Sequence, residues 1–174
     1  MKILAFGASN SENSINQMFA GYTAKQFTNA EVEMLHIDDY EMPLFSMKRE
    51  EALGNPDLSK KFFAKIGEAD LIIISFAEHN GIYTAAYKNL FDWTSRIEGK
   101  VFQNKNMIFL STSPGPGGAA NVLAAATKSA PYFAGNVKAS ISLPSFYKGF
   151  DIENNEVTNE EVKQKIQEAI ASAS

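Results

Sequence analysis

Leu71-Ile72-Ile73-Ile74-Ser75-Phe76 is almost continuously apolar, and Ala77-Glu78-His79-Asn80-Gly81-Ile82-Tyr83 follows it directly. Beyond that turn, Ala86, Leu90, Trp93 and Ile97 recur at helical spacing. A strand with one wet face alternates apolar and polar residues, whereas a strand covered on both faces buries both side-chain sets. Residues 71–76 therefore read as a central strand of a parallel sheet. The helix after them supplies the crossover that parallel neighbours require.

The same unit repeats outward in both directions. Ile3-Leu4-Ala5-Phe6 and Met107-Ile108-Phe109-Leu110 are apolar throughout and read as central strands. Val32 to Ile37 and Val137 to Leu143 alternate with polar residues and read as strands nearer an edge. Ile15, Met18, Phe19 and Tyr22 mark one helix; Leu58, Phe62, Phe63 and Ile66 mark a second. Residues 122–126 form a weaker helix. The last opens on a capping box, Thr158-Asn159-Glu160-Glu161, ahead of Val162, Ile166, Ala169 and Ile170. Strands alternating with helices indicate a doubly wound α/β sheet. Residues 1–174 are expected to form one domain, with 38–57 as a long irregular loop serving as a flap or subunit contact.

Composition excludes several function classes. The chain has no cysteine and two histidines, His36 and His79, so thiol catalysis is out and a metal site is not expected. Its net charge of −4 gives no positive face for nucleic acid or anionic lipid. Residues 1–6 are too short an apolar run for a signal peptide, and nothing approaches the ~20 apolar residues of a membrane span. A cytoplasmic protein is expected.

In open α/β sheets, ligands sit outside the carboxyl ends of the strands. Three loops fall there. Gly7-Ala8-Ser9-Asn10-Ser11-Glu12-Asn13-Ser14-Ile15-Asn16 offers hydroxyls and backbone N–H groups at a helix start, which suits a phosphate. It lacks both the Walker lysine and the G-x-G-x-x-G spacing, so a triphosphate or a dinucleotide held by that fingerprint is not expected. Asn80-Gly81 is a tight-turn dipeptide that brings backbone donors close to a ligand. Ser111-Thr112-Ser113-Pro114-Gly115-Pro116-Gly117-Gly118 has little side-chain bulk and would let a flat ring lie against backbone.

Together these segments resemble the NADPH-dependent FMN reductase family. Ser9, Ser14 and Asn16 match its first motif, roughly G-S-x-R-x-x-S-x-N, with Ser11 where the arginine is usual. Glu78, Asn80, Gly81, Lys88, Asn89, Asp92 and Trp93 match its second, and Ser113 to Gly118 its third. Met42-Pro43-Leu44-Phe45 is similar to a D-L-P-L-Y segment of the family. The resemblance implies a flavodoxin-like three-layer αβα sandwich whose five-stranded parallel sheet runs in the order 2-1-3-4-5. It implies FMN as cofactor, with Ser9, Ser11, Ser14, Ile15 and Asn16 at the phosphate. Glu78, His79, Asn80 and Gly81 would line the ring on one side, and Ser113, Pro114, Gly117 and Gly118 on the other. The missing arginine removes a charged donor of about 1.5–3 kcal/mol, which predicts weaker phosphate binding.

The implied activity passes electrons from NADPH or NADH through FMN to a small acceptor such as a quinone, an azo compound or free flavin. The flavin carries the chemistry, and no side chain is assigned as catalytic acid or base. A homodimer or homotetramer is implied as well. The alternatives are a flavodoxin-type electron carrier and a degenerate flavin-binding interaction module.

Overall fold

A computed structural model describes residues 1–173; Ser174, the last residue of the expected domain, lies outside them. β1 (Lys2–Ala8) leads through α1 (Ile15–Lys25) to β2 (Glu31–Met34). α2 (Met47–Leu53) and α3 (Asp57–Glu68) precede β3 (Leu71–Phe76). A short hairpin, β4 (Glu78–His79) and β5 (Ile82–Tyr83), then opens into α4 (Ala85–Ser95). β6 (Asn106–Thr112), α5 (Ala120–Ser129) and β7 (Asn136–Leu143) complete the sheet. The chain closes with a four-residue helix α6 (Phe146–Gly149), a second small hairpin of β8 (Phe150–Asp151) and β9 (Glu156–Val157), and α7 (Glu160–Ala173).

The main sheet is parallel throughout, in the order β2-β1-β3-β6-β7. That is the expected 2-1-3-4-5 order, with the two alternating strands at the edges. Side-chain alternation explains the unbroken apolar runs. Ile3, Ala5, Ile73 and Ile108 point to the layer holding Phe19 of α1 and Ile166 of α7. Leu4, Phe6, Ile72 and Ile74 point to the opposite layer, with Phe62 of α3, Trp93 of α4 and Val122 of α5. Each fully buried large side chain contributes about 1.5–3 kcal/mol.

Three local expectations change. The second strand ends at Met34, and Ile37–Tyr40 turns as a 3₁₀ segment that buries Ile37 and Tyr40. The stretch 38–57 is partly helical: Ser46 caps α2 by accepting from Arg49 N–H, and Gly54, at φ 65°, ends it. A positive φ suits glycine there. The final helix is capped by Asn159 rather than Thr158, because Asn159 Oδ1 accepts from Val162 N–H at 3.1 Å while Thr158 N–H is drawn to the Gly149 carbonyl.

Residues 42–50 strap across α4. Trp93 Nε1 donates to the Pro43 carbonyl at 2.7 Å, and Asn89 donates to the Met42 carbonyl and accepts from Phe45 N–H. Phe45 packs edge-on to Trp93, and Glu50 pairs with Arg96 at 2.7 Å. Asn89 and Trp93 therefore hold chain against chain. Among the described residues no helix is long and apolar enough to cross a membrane.

Candidate functional site

The helix start after β1 is built by close approach. A Cβ on Gly7 would lie 2.5 Å from the Gln17 backbone nitrogen, so only glycine lets the strand run this near to α1. Gly7 N–H donates to Gln17 Oε1 at 2.6 Å. Ser14 caps the helix: its Oγ accepts from Gln17 N–H and its carbonyl from Met18 N–H. The N–H groups of Ile15 and Asn16 lie in the first helical turn, where no carbonyl precedes them to accept. Ser9 Oγ accepts from Ser11 N–H at 3.2 Å. Both hydroxyls are thereby used as acceptors and keep their own O–H free to donate.

Asn16 has a different task from the one its position suggested. Its side chain is buried, with Oδ1 accepting from Ser75 Oγ at 2.7 Å and from Thr112 N–H at 3.1 Å. Its Nδ2 donates to the Thr112 carbonyl at 3.1 Å. Pairing of β3 with β6 ends at Phe76 and Ser111. The Asn16 amide then stands in for the next peptide of the neighbouring strand. What Asn16 offers a ligand is its backbone N–H.

These donors open onto a cleft of about 280 Å³ at the carboxyl edge of the sheet. Ser9, Ser11 and Ser14 line one end, and the backbone around Ala77 to His79 and Thr112 to Pro114 lines the walls. Glu78 is the one carboxylate among the described lining residues, and its charge is directed elsewhere: Oε2 accepts from Val122 N–H at 2.9 Å and Oε1 from Asn121 Nδ2 at 3.3 Å. It caps α5, whose own N-cap Ala119 has no side chain to do so. A negative charge at a helix start is favourable. The donor set left facing the cleft consists of neutral hydroxyls and backbone N–H groups, which fits a phosphate dianion.

The three expected loops do meet along one edge, but not residue for residue. Asn80 and Gly81, at φ 53° and 85°, form the exposed hairpin tip beside His79 and do not line the cleft. Gly117 is exposed outside it. Gly118 is buried, and its carbonyl accepts from Ser111 Oγ at 2.7 Å and Ser142 Oγ at 2.8 Å. A Cβ there would collide with Ser142, so the glycine serves packing.

Sequence reasoning missed Tyr147. It lines the cleft from the connection after β7, where Ser145 N–H donates to the Gly115 carbonyl and Phe146 N–H to that of Ser113. Phe146 is buried and stacks on Phe150 at 4.7 Å, leaving Tyr147 exposed at the rim. The carboxyl-end rule that singled out three loops applies equally to this fourth one.

The model of the NADPH-dependent FMN reductase family matches residues 1–148. The chain is 34% identical over 124 residues to the NADH-dependent flavin reductase subunit 2 of Lactobacillus johnsonii, covering 68% of this chain and 64% of that protein. It superposes on FerB, a flavoenzyme NAD(P)H:(acceptor) oxidoreductase from Paracoccus denitrificans, with a TM-score of 0.76 at 21% identity, covering 99% of this chain and 94% of that one. An azoreductase from Bacillus anthracis gives 0.62 at 15% identity, over 99% and 98% of the two chains. At those identities the structural likeness is one of fold.

Proposed function

The chain belongs to the NADPH-dependent FMN reductase family, and as an FMN-dependent NAD(P)H oxidoreductase we propose that it delivers electrons to a small acceptor such as a quinone, an azo compound or free flavin. One observation supports the location of the cofactor: neutral hydroxyl and backbone donors converge on a single cleft from which the nearby carboxylate is turned away. FMN held there would supply the redox chemistry between the nicotinamide nucleotide and the acceptor.

The residues supply position. Ser9, Ser11 and Ser14 would hold the phosphate with the N–H groups of Ile15 and Asn16 at the positive end of α1. Ala77 to His79 and Ser113 to Pro114 would flank the ring, with Tyr147 as an aromatic wall and Asn80 and Gly81 at its outer edge. Glu78 would keep its wall fixed by capping α5, so the loop need not be reordered when cofactor binds.

Residues 1–174 act in this reading as one FMN-binding unit, a homodimer or homotetramer. Leu44, Met47 and Leu53 are exposed apolar side chains on the 38–57 segment and support an interface there. The same reading sets the enzyme in the cytoplasm, where reduced nicotinamide nucleotides are maintained.

The test is direct. Protein titrated with FMN should quench flavin fluorescence at one equivalent per chain, and NADPH or NADH without oxygen should bleach the visible band. Failure to bind FMN removes the cofactor site, and failure of both nucleotides to bleach bound FMN leaves a carrier instead of a reductase.

A further inference from the structure

A second cavity, of about 210 Å³, lies between α4 and α5 and shares no lining residue with the cleft. Five phenylalanines, Phe76, Phe91, Phe102, Phe109 and Phe133, with Tyr83 and Tyr87, form most of its wall. Phe91 and Phe133 meet edge-on at 4.7 Å, as do Phe76 and Phe109 at 5.1 Å. The cavity is open at one side, and an apolar occupant would remove both its own surface and these rings from water.

The polar groups specify that occupant. Ser129 Oγ donates to the Ala126 carbonyl at 3.1 Å, so in its 3.4 Å contact with Tyr83 it is the tyrosine O–H that donates. Lys88 and Asp92 neutralise each other at the mouth, with contacts of 2.7 and 2.8 Å. Tyr87 differs. It lines the cavity and is only 3% exposed, and since no buried side-chain oxygen or nitrogen among the described residues lacks a partner, its hydroxyl reaches the open space of the cavity. Burial, reinforced by the neighbouring Tyr83, pushes this phenol well above its ordinary value, so it remains a neutral O–H donor. A neutral O–H facing apolar walls is placed to donate to an acceptor on a ligand that enters there, at about the strength of one neutral hydrogen bond.

We propose that this cavity binds a small, neutral, planar aromatic compound bearing a carbonyl-type acceptor, which packs among the phenylalanine rings and accepts a hydrogen bond from Tyr87. An apolar cavity of about 150 Å³ holds a benzene ring, so this volume suits a fused bicyclic or a ring with a short substituent. Net charge is excluded by the balanced Lys88–Asp92 pair, which would leave a ligand ion uncompensated. The site is independent of the FMN reading and stands or falls without it.

The full chain saturated with FMN is titrated with 1-indanone and, as the matched compound lacking the acceptor, indane, followed by amide NMR and calorimetry. The expected result is saturable 1-indanone binding with shifts at Phe76, Tyr87, Ala126 and Phe133. Tyr87→Phe should weaken 1-indanone about three- to tenfold, the range of one neutral hydrogen bond, and leave indane unchanged. Ala126→Phe, which fills the cavity from α5, should abolish both; where it lowers the melting temperature markedly, Tyr87→Phe decides. Four outcomes overturn the proposal: no binding at millimolar ligand, shifts confined to Ser9–Asn16 and Ala77–His79, an equal effect of Tyr87→Phe on both compounds, or dissociation of an oligomer by 1-indanone, which would assign the cavity to a second copy of the chain.

Discussion

Asn16→Ala should lower stability by about 3–5 kcal/mol, although Asn16 is a small polar residue beside an open cleft. Its amide closes three buried hydrogen bonds, to Ser75 Oγ and to the N–H and carbonyl of Thr112. Each buried polar group left without a partner costs about 1–3 kcal/mol. Ser75 can turn its hydroxyl to another acceptor, but the Thr112 peptide cannot move without disturbing β6 and β7. Two stranded groups and a small cavity give the figure above. With each kcal/mol worth about 2–4 °C at this chain length, melting should fall by roughly 10 °C. Urea unfolding followed by circular dichroism on the FMN-free protein isolates the effect from cofactor linkage. Asn16→Asp is the control: it keeps one acceptor but sets a second against the Thr112 carbonyl, and should be at least as damaging at neutral pH. An Asn16→Ala stability within about 1 kcal/mol of wild type would refute the strand-continuation role, since water would then be replacing the amide.

Ser14→Asp should preserve the fold, because aspartate is an equally good helix cap, while weakening FMN at least about tenfold by setting a carboxylate against the phosphate; unchanged affinity in a fluorescence titration would move the phosphate elsewhere. Gly7→Ala should cost about 1–3 kcal/mol and also weaken FMN, since its Cβ meets the Asn16–Gln17 backbone of the helical turn whose Ile15 and Asn16 N–H groups would hold the phosphate; a melting point equal to wild type would contradict the close approach. Burial raises the phenols of Tyr22, Tyr40, Tyr83 and Tyr87 above their ordinary 10.0. The unfolded chain then loses protons first, so stability should be flat below pH about 10 and fall above it. Urea midpoints at about pH 9 and pH 11 should show the decline, with Tyr87→Phe flattening it; identical midpoints for wild type would exclude it.

Much of the architecture was legible because it depends on period. Leu71–Phe76 could be read as a central strand, and Glu31–Met34 and Asn136–Leu143 as edges, since burial on one face or two leaves its imprint on every second residue. Gly7, Ser14 and the Asn80-Gly81 turn were visible for a similar reason: close approach, helix capping and positive φ each restrict residue type locally. Such constraints act over a few residues, so a linear string contains them.

What the string could not contain are pairings between distant segments. Nothing adjacent to Asn16 announces that its amide will extend β3 toward Thr112, nothing beside Glu78 that its carboxylate will cap a helix beginning at Ala120, and nothing near Tyr147 that it will reach the same cleft. The aromatic cavity arises the same way, from rings brought together out of distant stretches of chain. A side chain's partner is fixed by where the sheet brings its backbone, and the energy of a hydrogen bond or a ring contact depends on ångström-scale separation rather than on distance along the chain. Periodicity along the chain was enough to read the layers and the candidate edge of the sheet; which side chains line the cleft there, and which are spent holding its walls, depended on the fold.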